Sequence, residues 1–275
     1  MQPITVAFIG AAGPVGAPLA ERLHGHPDYR VLYVETEAIE EARLRALRLT
    51  PAPRKAALAQ ADVVVLAVAD AVVGPVATEI AGELRSGALV MVFDPLSARR
   101  RLLAGRPDVS CFVTHPTLPP VFSAEEEPIV AAAGAGRQAI VSALVQGPDE
   151  DYARGEALAR RLFAPVLRSH RLTTEQMAIL EPVLSERVAA ACILLFQEAL
   201  DEAGRHAIPA AAARDFLLGH LAIPLATVFH GIGWQHSAGA AASIRDTEQR
   251  LFRDAWREAL RAVDSPGRST EGPPA

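Results

Sequence analysis

The chain opens on a short apolar segment, Ile4–Ile9, that runs directly into a turn containing Gly10, Gly13 and Gly16. The segment has the composition of a β-strand, and residues 17–23 continue after the turn at helical spacing. Glycine permits a tight turn and a close approach of the backbone to a pyrophosphate, whose charge then lies at the helix N-terminus. The alternative is an ordinary strand-to-helix turn with incidental glycines. The pattern predicts a dinucleotide-binding loop formed by Gly10, Ala11, Ala12, Gly13, Pro14, Val15 and Gly16.

An acidic residue follows at the distance that such a loop requires. Residues 31–34 have the composition of a second strand, and Glu35 ends it 19 residues after Gly16. An acid at this spacing binds the hydroxyls of the adenosine ribose. Because a carboxylate would repel a 2′-phosphate, the sequence favours NAD over NADP.

Strand and helix patterns alternate through the first part of the chain. This alternation predicts parallel pairing, right-handed crossovers and a Rossmann dinucleotide-binding domain over residues 1–172. The run 63–68 is apolar throughout, as is typical of a strand buried on both faces. The predicted strands are Ile4–Ile9, Val31–Val34, Val63–Val68, Leu89–Phe93, Cys111–Thr114, Ala139–Val145 and Val166–His170.

The pattern becomes entirely helical after residue 172. Thr173 and Gln176 form a capping box that opens a long helix, Pro209 opens a second, and an apolar stripe predicts a third over residues 245–263. The fold class is therefore an α/β Rossmann dinucleotide-binding domain followed by an all-α C-terminal domain. We assign residues 173–263 to a helical substrate and dimerisation domain, and residues 264–275, rich in Pro, Gly and Ser, to a disordered tail.

Composition excludes several classes of partner. The net charge of −5 over 275 residues offers no basic surface for nucleic acid. No apolar run reaches the roughly 18 residues of a membrane span, and the chain starts with a strand rather than an export signal. We expect a cytoplasmic protein in which Cys111 and Cys192 are buried thiols rather than a disulfide.

Two further segments end predicted strands at the carboxyl edge of the sheet, where ligands of this fold bind. Val68, Ala69 and Asp70 close the third strand, and we expect them to lie against the dinucleotide. Asp94 closes the fourth strand and could serve either a ligand or its own loop.

His115 is the main candidate for proton transfer. It ends the fifth strand at the same edge, in a segment rich in proline. Histidine titrates near neutrality, so it can take the proton of an alcohol as hydride leaves, or it can bind a metal. The alternative is a loop histidine that packs against prolines.

Two prolines, Pro182 and Pro224, interrupt the long helices and predict kinks close to polar side chains. His115, carboxylates and a histidine from two helices could form a divalent metal site. Lys55 is the only lysine, so no lysine of the helical domain can act as acid or base. Proton transfer then depends on histidine, a carboxylate or metal-bound water. The polar residues near the two prolines are Glu181, Ser185, Glu186, Asp215 and His220.

Several blocks together resemble the D-apionate oxidoisomerase family, whose members have a C-terminal domain similar to that of phosphogluconate dehydrogenase. The resemblance covers most of the chain, in order. The blocks are THP at 114–116, PPVF at 119–122, IVSALVQGP at 140–148, EQMAILEP at 175–182 and ARDFLLGH at 213–220.

The resemblance implies an NAD-dependent oxidation of a branched sugar acid, coupled to an acyloin-type carbon shift that yields a 3-oxo acid. A divalent cation, Zn or Mg, would polarise the substrate oxygens. The implied metal ligands are His115, Glu186 and His220, supported by Glu181 and Asp215. His115 and Glu181 are the implied catalytic residues, and the Thr-His-Pro motif is also similar to the His-Pro element of prephenate dehydrogenases.

The chain departs from the family pattern at Thr117 and Leu118, where that pattern has Cys and His, and near Ala242, where it has lysine. A plain hydroxyacid or prephenate-like dehydrogenase without isomerisation remains an alternative, as does a non-catalytic NAD-binding protein. Arg168, Arg171 and Arg214 are alternatives for holding a substrate carboxylate. The apolar helices predict a homodimer interface.

Overall fold

The computed structural model describes residues 2–35, 38–118, 138–230 and 237–251. The chain divides into two compact units, Met1–Ala178 and Ile179–Ala275. The first is an α/β unit and the second is helical, which confirms the predicted fold class. The segment predicted as a tail, 264–275, lies outside the described residues. In the part of the chain that the structure describes, no helix has the length and apolarity to cross a membrane.

The first unit is built on one seven-stranded sheet, and all seven predicted strands are present within a few residues of their predicted ends. The strand order is β2-β1-β3-β4-β5-β6-β7. The strands are β1 (Ile4–Ile9), β2 (Tyr29–Val34), β3 (Val63–Leu66), β4 (Leu89–Val92), β5 (Ser110–Pro116), β6 (Gln138–Gln146) and β7 (Val166–Arg171).

One pairing differs from the sequence expectation. Strands β2, β1, β3, β4 and β5 are parallel, as are β6 and β7, but β5 and β6 are antiparallel. The prediction of parallel pairing was therefore wrong for this pair. Antiparallel neighbours need no crossover helix between them.

Helices cover this sheet and complete its core. Every residue of β3 and β4 is buried, as expected for central strands of a parallel sheet. Gly155 lets α5 approach the sheet, because a Cβ atom there would lie 2.6 Å from the Phe112 ring. The helices are α1 (Gly16–Leu23), α2 (Ala38–Ala46), α3 (Arg54–Gln60), α4 (Asp70–Ile80) and α5 (Glu150–Leu162).

A run of helical segments leads from the first unit into the second and begins at the predicted capping box. The Thr173 N–H donates to Gln176 Oε1 at 2.9 Å, and the Gln176 N–H donates to Thr173 Oγ1 at 3.2 Å. The segments that follow are α6 (Thr174–Leu180), a π-helix (Glu181–Ala189), α7 (Ala190–Arg205), α8 (Ala210–His230) and α9 (Ala238–Leu251).

The two internal prolines have different surroundings. Pro182 is the second residue of the π-helix, whose wider turn suits a residue without an N–H donor. Helix α8 continues through Pro224 to His230. Helix α9 begins at Ala238, earlier than the predicted residue 245, and its predicted end lies outside the described residues.

The helical unit exposes many apolar side chains. Helix α7 buries none of its side chains, and Ile193 and Leu194 are 63% and 66% exposed. Both cysteines are free thiols, but only Cys111 is buried. The prediction that Cys192 is buried was wrong, because Cys192 lies on an exposed side of α7, which buries no side chain against the described part of the chain.

Candidate functional site

The glycine turn after β1 is shaped by two close approaches of backbone to backbone. Gly10 has a φ of +84°, and a Cβ atom there would lie 2.5 Å from the Ala67 carbonyl oxygen. A Cβ atom on Gly16 would collide with the Gly10 carbonyl oxygen. Gly13 is less constrained, because its Cβ would lie 3.3 Å from the same oxygen. The turn thus requires glycine at its two ends, as a dinucleotide cradle does.

The predicted ribose-binding acid is bonded to this turn. Glu35 Oε1 accepts a hydrogen bond from the Ala12 N–H at 2.6 Å. Burial raises the pKa of Glu35, while the Ala12 N–H opposes the shift and nearby Glu40 adds to it. Since an ionised carboxylate accepts hydrogen bonds at two oxygens, Glu35 can hold the loop and still accept from a ligand hydroxyl.

The end of β3 supplies the next side of the cradle. The strand ends at Leu66, and the Ala67 N–H donates to the Ile9 carbonyl at 2.9 Å. Val68 Cγ1 lies 3.1 Å from the position that a Gly10 Cβ would take, so Val68 borders the turn. Ala69 is extended, and Asp70 is the first residue of α4.

The loop residues between the glycines differ in exposure. Ala11 is fully buried, Ala12 and Gly13 are partly buried, and Pro14 and Val15 are exposed. Helix α1 begins at Gly16, so its N-terminus follows the loop directly. A helix N-terminus in this position can bind a phosphate group, and the pyrophosphate-binding role of the loop stays a prediction.

His115 lies in β5, near the carboxyl end of that strand, and its ring is held by the neighbouring strand. His115 Nδ1 is 3.0 Å from the carbonyl oxygen of Phe93, which follows β4. A carbonyl oxygen only accepts hydrogen bonds, so in this contact Nδ1 carries the proton. In the neutral ring Nε2 then keeps its lone pair and is the nitrogen that can accept a proton or bind a metal.

Thr114, the residue before His115 in β5, is buried and bonded to β6. Thr114 is fully buried, and the Ser142 hydroxyl of β6 donates to Thr114 Oγ1 at 2.9 Å. Across the antiparallel pair, Thr114 stands opposite Ser142 and His115 opposite Val141. Sequence reasoning missed this bond between β5 and β6, because no local pattern shows which strand pairs with β5.

Asp94, which the sequence left open between ligand and loop, is bonded to its own loop. Its carboxylate is nearly buried and accepts from the Leu96 N–H at 2.8 Å and from the Ser97 hydroxyl at 2.9 Å. The Asp-Pro-x-Ser order is a sequence signal for this cap.

The other predicted metal ligands and catalytic residues belong to the helical unit, whereas His115 belongs to the first unit. Glu181 begins the π-helix and is partly buried, and Glu186 lies on the same π-helix. His220 is exposed on α8, with Nδ1 2.8 Å from the Phe216 carbonyl and its ring stacked on Phe216 at 3.9 Å. His220 therefore resembles His115, because Nε2 is the ring nitrogen without a proton in the neutral side chain.

The described residues contain no group of three or more His, Cys, Asp or Glu side chains that could hold a metal ion. The predicted set of His115, Glu186 and His220 stays a prediction.

Of the arginines considered for a substrate carboxylate, Arg171 pairs with Asp149 and covers the Tyr152 ring at 4.3 Å.

Comparison with known proteins agrees with the two-part fold. Residues 5–93 match the family described as coenzyme F420-dependent NADP oxidoreductase. Residues 125–265 match the C-terminal domain of decarboxylating phosphogluconate dehydrogenase. The fold and the glycine cradle thus define an oxidoreductase with a Rossmann unit and a helical C-terminal unit.

Curated relatives give a narrower assignment. D-apionate oxidoisomerase of Cupriavidus necator is 43% identical over 256 residues, covering 91% of this chain and 92% of the relative. The enzyme of the same name from Rhizobium rhizogenes is 40% identical over 257 residues, covering 92% and 93%. The chain belongs to the D-apionate oxidoisomerase family, which confirms the resemblance seen in the sequence.

A solved structure extends the comparison to three dimensions. A semialdehyde dehydrogenase NAD-binding protein from Cupriavidus necator, in complex with calcium and NAD, aligns with a TM-score of 0.86 and 41% identity. The alignment covers 94% of this chain and 95% of that one.

Proposed function

We propose that this protein oxidises D-apionate or a closely related branched sugar acid with NAD, and couples the oxidation to an acyloin-type shift that yields a 3-oxo acid. The observation that carries the proposal is His115, whose Nδ1 is engaged by the Phe93 carbonyl at the carboxyl edge of the sheet. The names of the relatives at 43% and 40% identity support the substrate class.

The residues of the first unit fit a dinucleotide. Gly10 and Gly16 allow close backbone contacts that a Cβ would block, and Glu35 places a carboxylate beside Ala12 in the same turn. NAD, when bound, supplies the acceptor for a hydride from the substrate carbon. The carboxylate of Glu35 favours NAD over a cofactor with a 2′-phosphate.

His115 is the proposed base. As the substrate hydroxyl is oxidised, His115 Nε2 accepts its proton, and the Phe93 carbonyl holds Nδ1–H of the resulting imidazolium. Glu181 is proposed to relay a proton or to support the substrate. The helical unit, 173–263 in our assignment, is proposed to supply the rest of the substrate site.

A divalent cation, Zn or Mg, is part of the proposal. The proposed ligands are His115, Glu186 and His220, and the support is the form in which the two histidine rings are held. Both histidines keep Nε2 as the free nitrogen because a backbone carbonyl engages Nδ1, at 3.0 Å in His115 and 2.8 Å in His220. A bound cation would polarise substrate oxygens during the carbon shift.

We further propose a cytoplasmic homodimer. The helical unit exposes large apolar side chains, among them Phe216 at 68% and Val228 at 74%, and a second copy would cover such faces. The free thiols of Cys111 and Cys192 suit a reducing compartment. Sedimentation analysis tests the dimer, and a monomer at micromolar concentration would refute it.

The experiment that tests the activity is NADH formation with D-apionate and a panel of branched and straight sugar acids, with and without chelator, with product analysis. A rearranged 3-oxo acid formed from D-apionate, and lost on chelation, supports the whole proposal. Turnover of another acid without rearrangement and without chelator sensitivity would replace it with a plain hydroxyacid dehydrogenase. NAD binding without turnover of any acid would indicate a non-catalytic protein.

A further inference from the structure

The carbonyl that orients His115 belongs to a peptide bond whose other residue is Asp94. We propose that Asp94 is a positioning residue: its buried carboxylate fixes the Phe93–Asp94 peptide, so that the Phe93 carbonyl holds His115 in the Nδ1–H form. This inference rests on the proposed function only in taking His115 Nε2 as the base.

Asp94 is restrained by three hydrogen bonds on its C-terminal side. Its two carboxylate oxygens accept from the Leu96 N–H at 2.8 Å and the Ser97 hydroxyl at 2.9 Å. Its carbonyl accepts from the Ser97 N–H at 3.0 Å. The carboxylate thus caps the N-terminus of a short 3-10 helix, Pro95–Arg99, that follows the end of β4.

These bonds join Asp94 to the 3-10 helix, and that helix is anchored because Pro95, Ser97 and Ala98 are buried, so Asp94 is not free to turn about its φ. Rotation about φ of Asp94 turns the plane of the Phe93–Asp94 peptide and with it the Phe93 oxygen. Asp94 has a φ of −72°, and the parallel register pairs Val92 with Val113 on β5. The Phe93 carbonyl is thereby aimed at His115, two residues further along β5, where the Nδ1–O distance is 3.0 Å.

The charge of Asp94 is balanced beside the cofactor cradle. Arg100 Nη1 lies 3.5 Å from Asp94 Oδ2 and 3.5 Å from the carbonyl oxygen of Asp70, the first residue of α4. A buried carboxylate is costly unless it is paired and hydrogen-bonded, and Asp94 has both kinds of partner.

The test measures the tautomer of His115 by long-range 1H–15N NMR on the full chain with NAD, before and after chelation, with His115→Gln used to assign the signals. We expect the wild type to hold the Nδ1–H form. Asp94→Ala is expected to lose most of that form and to lower kcat by about 10- to 100-fold, the usual scale for partners that orient a histidine. KM for NAD should stay within about twofold.

Graded and control variants distinguish a loss of His115 positioning from a loss of protein stability. Asp94→Asn keeps an oxygen for the Leu96 N–H and should restore much of the tautomer, and Ser97→Ala should have an intermediate effect. Asp62→Asn is the matched control. Asp62 directly precedes β3, at the amino ends of the strands, and its Oδ2 accepts from the Thr5 N–H at 2.8 Å. It should lower Tm without changing the tautomer.

Either of two results overturns the inference. The first is that Asp94→Ala retains the Nδ1–H form of His115. The second is that kcat of Asp94→Ala falls no further, for the same loss in Tm, than kcat of Asp62→Asn. Should Asp94→Ala fail to fold, Ser97→Ala decides by the same readout. The tautomer is measured without substrate, so an inactive protein would refute the proposed function and leave this test standing.

Discussion

Glu35 Oε1 accepts a hydrogen bond of 2.6 Å from the Ala12 N–H, which ties the end of β2 to the middle of the glycine turn. The carboxylate expected to bind the ribose therefore also shapes the loop expected to bind the pyrophosphate. A substitution at Glu35 affects cofactor selectivity through its charge and loop geometry through its acceptor oxygen, and two variants separate these effects.

Glu35→Gln removes the charge and keeps an acceptor for the Ala12 N–H. We expect the ratio of kcat/KM for NAD over NADP to fall at least about tenfold, since tenfold corresponds to only ~1.4 kcal/mol of lost repulsion toward a 2′-phosphate. Glu35→Ala should lower the ratio similarly and also weaken NAD binding. An unchanged ratio in both variants would show that Glu35 does not face the ribose.

NAD affinity should depend on pH through the same residue. Burial, the largest cause, raises the pKa of Glu35, so the free protein protonates this group at a higher pH than an ordinary glutamate. The carboxylate form accepts the ribose hydroxyls, so affinity should be full above the raised pKa and fall as pH drops through it. Calorimetric titration between neutral pH and the acid limit of the native fold measures this, and Glu35→Gln should flatten the profile.

The glycine cradle should not accept a methyl group at its end. Gly16→Ala places a Cβ against the Gly10 carbonyl, and we expect a loss of about 1–3 kcal/mol in the free energy of unfolding together with weaker NAD binding. Gly204→Ala is the matched control, because among the described residues outside its own helical turn no heavy atom lies within 4 Å of the position of its Cβ. Its stability should stay within about 1 kcal/mol of the wild type. Equal effects of the two variants in urea unfolding would contradict the steric argument.

Replacing His115 should separate chemistry from cofactor binding. His115→Ala is expected to lower kcat at least ~100-fold, the usual scale for loss of a general base, and to leave NAD affinity nearly intact. His206→Ala, at an exposed histidine that follows α7, is the control and should behave as the wild type. Turnover close to the wild-type value in His115→Ala would remove His115 from the mechanism.

Local patterns in the sequence were enough for the strands of the sheet and for the shape of the glycine turn. The glycine turn depends on residues close together in the chain, and so does the capping box of Thr173 and Gln176, which the hydrogen bonds confirm. The same holds for the runs of buried residues in β3 and β4. The distance from Gly16 to Glu35 placed the acid correctly beside the turn, because a strand–helix–strand unit has a nearly fixed length.

Tertiary structure decided what depends on residues far apart in the chain. The antiparallel return of β6 brings Ser142 to Thr114, and the end of β4 brings the Phe93 carbonyl to His115 across 22 positions. Sequence could nominate His115 and Asp94 but not their roles. A histidine's tautomer and a carboxylate's partners are set by the atoms that packing places within about 3 Å, and no periodicity in the chain encodes those distances.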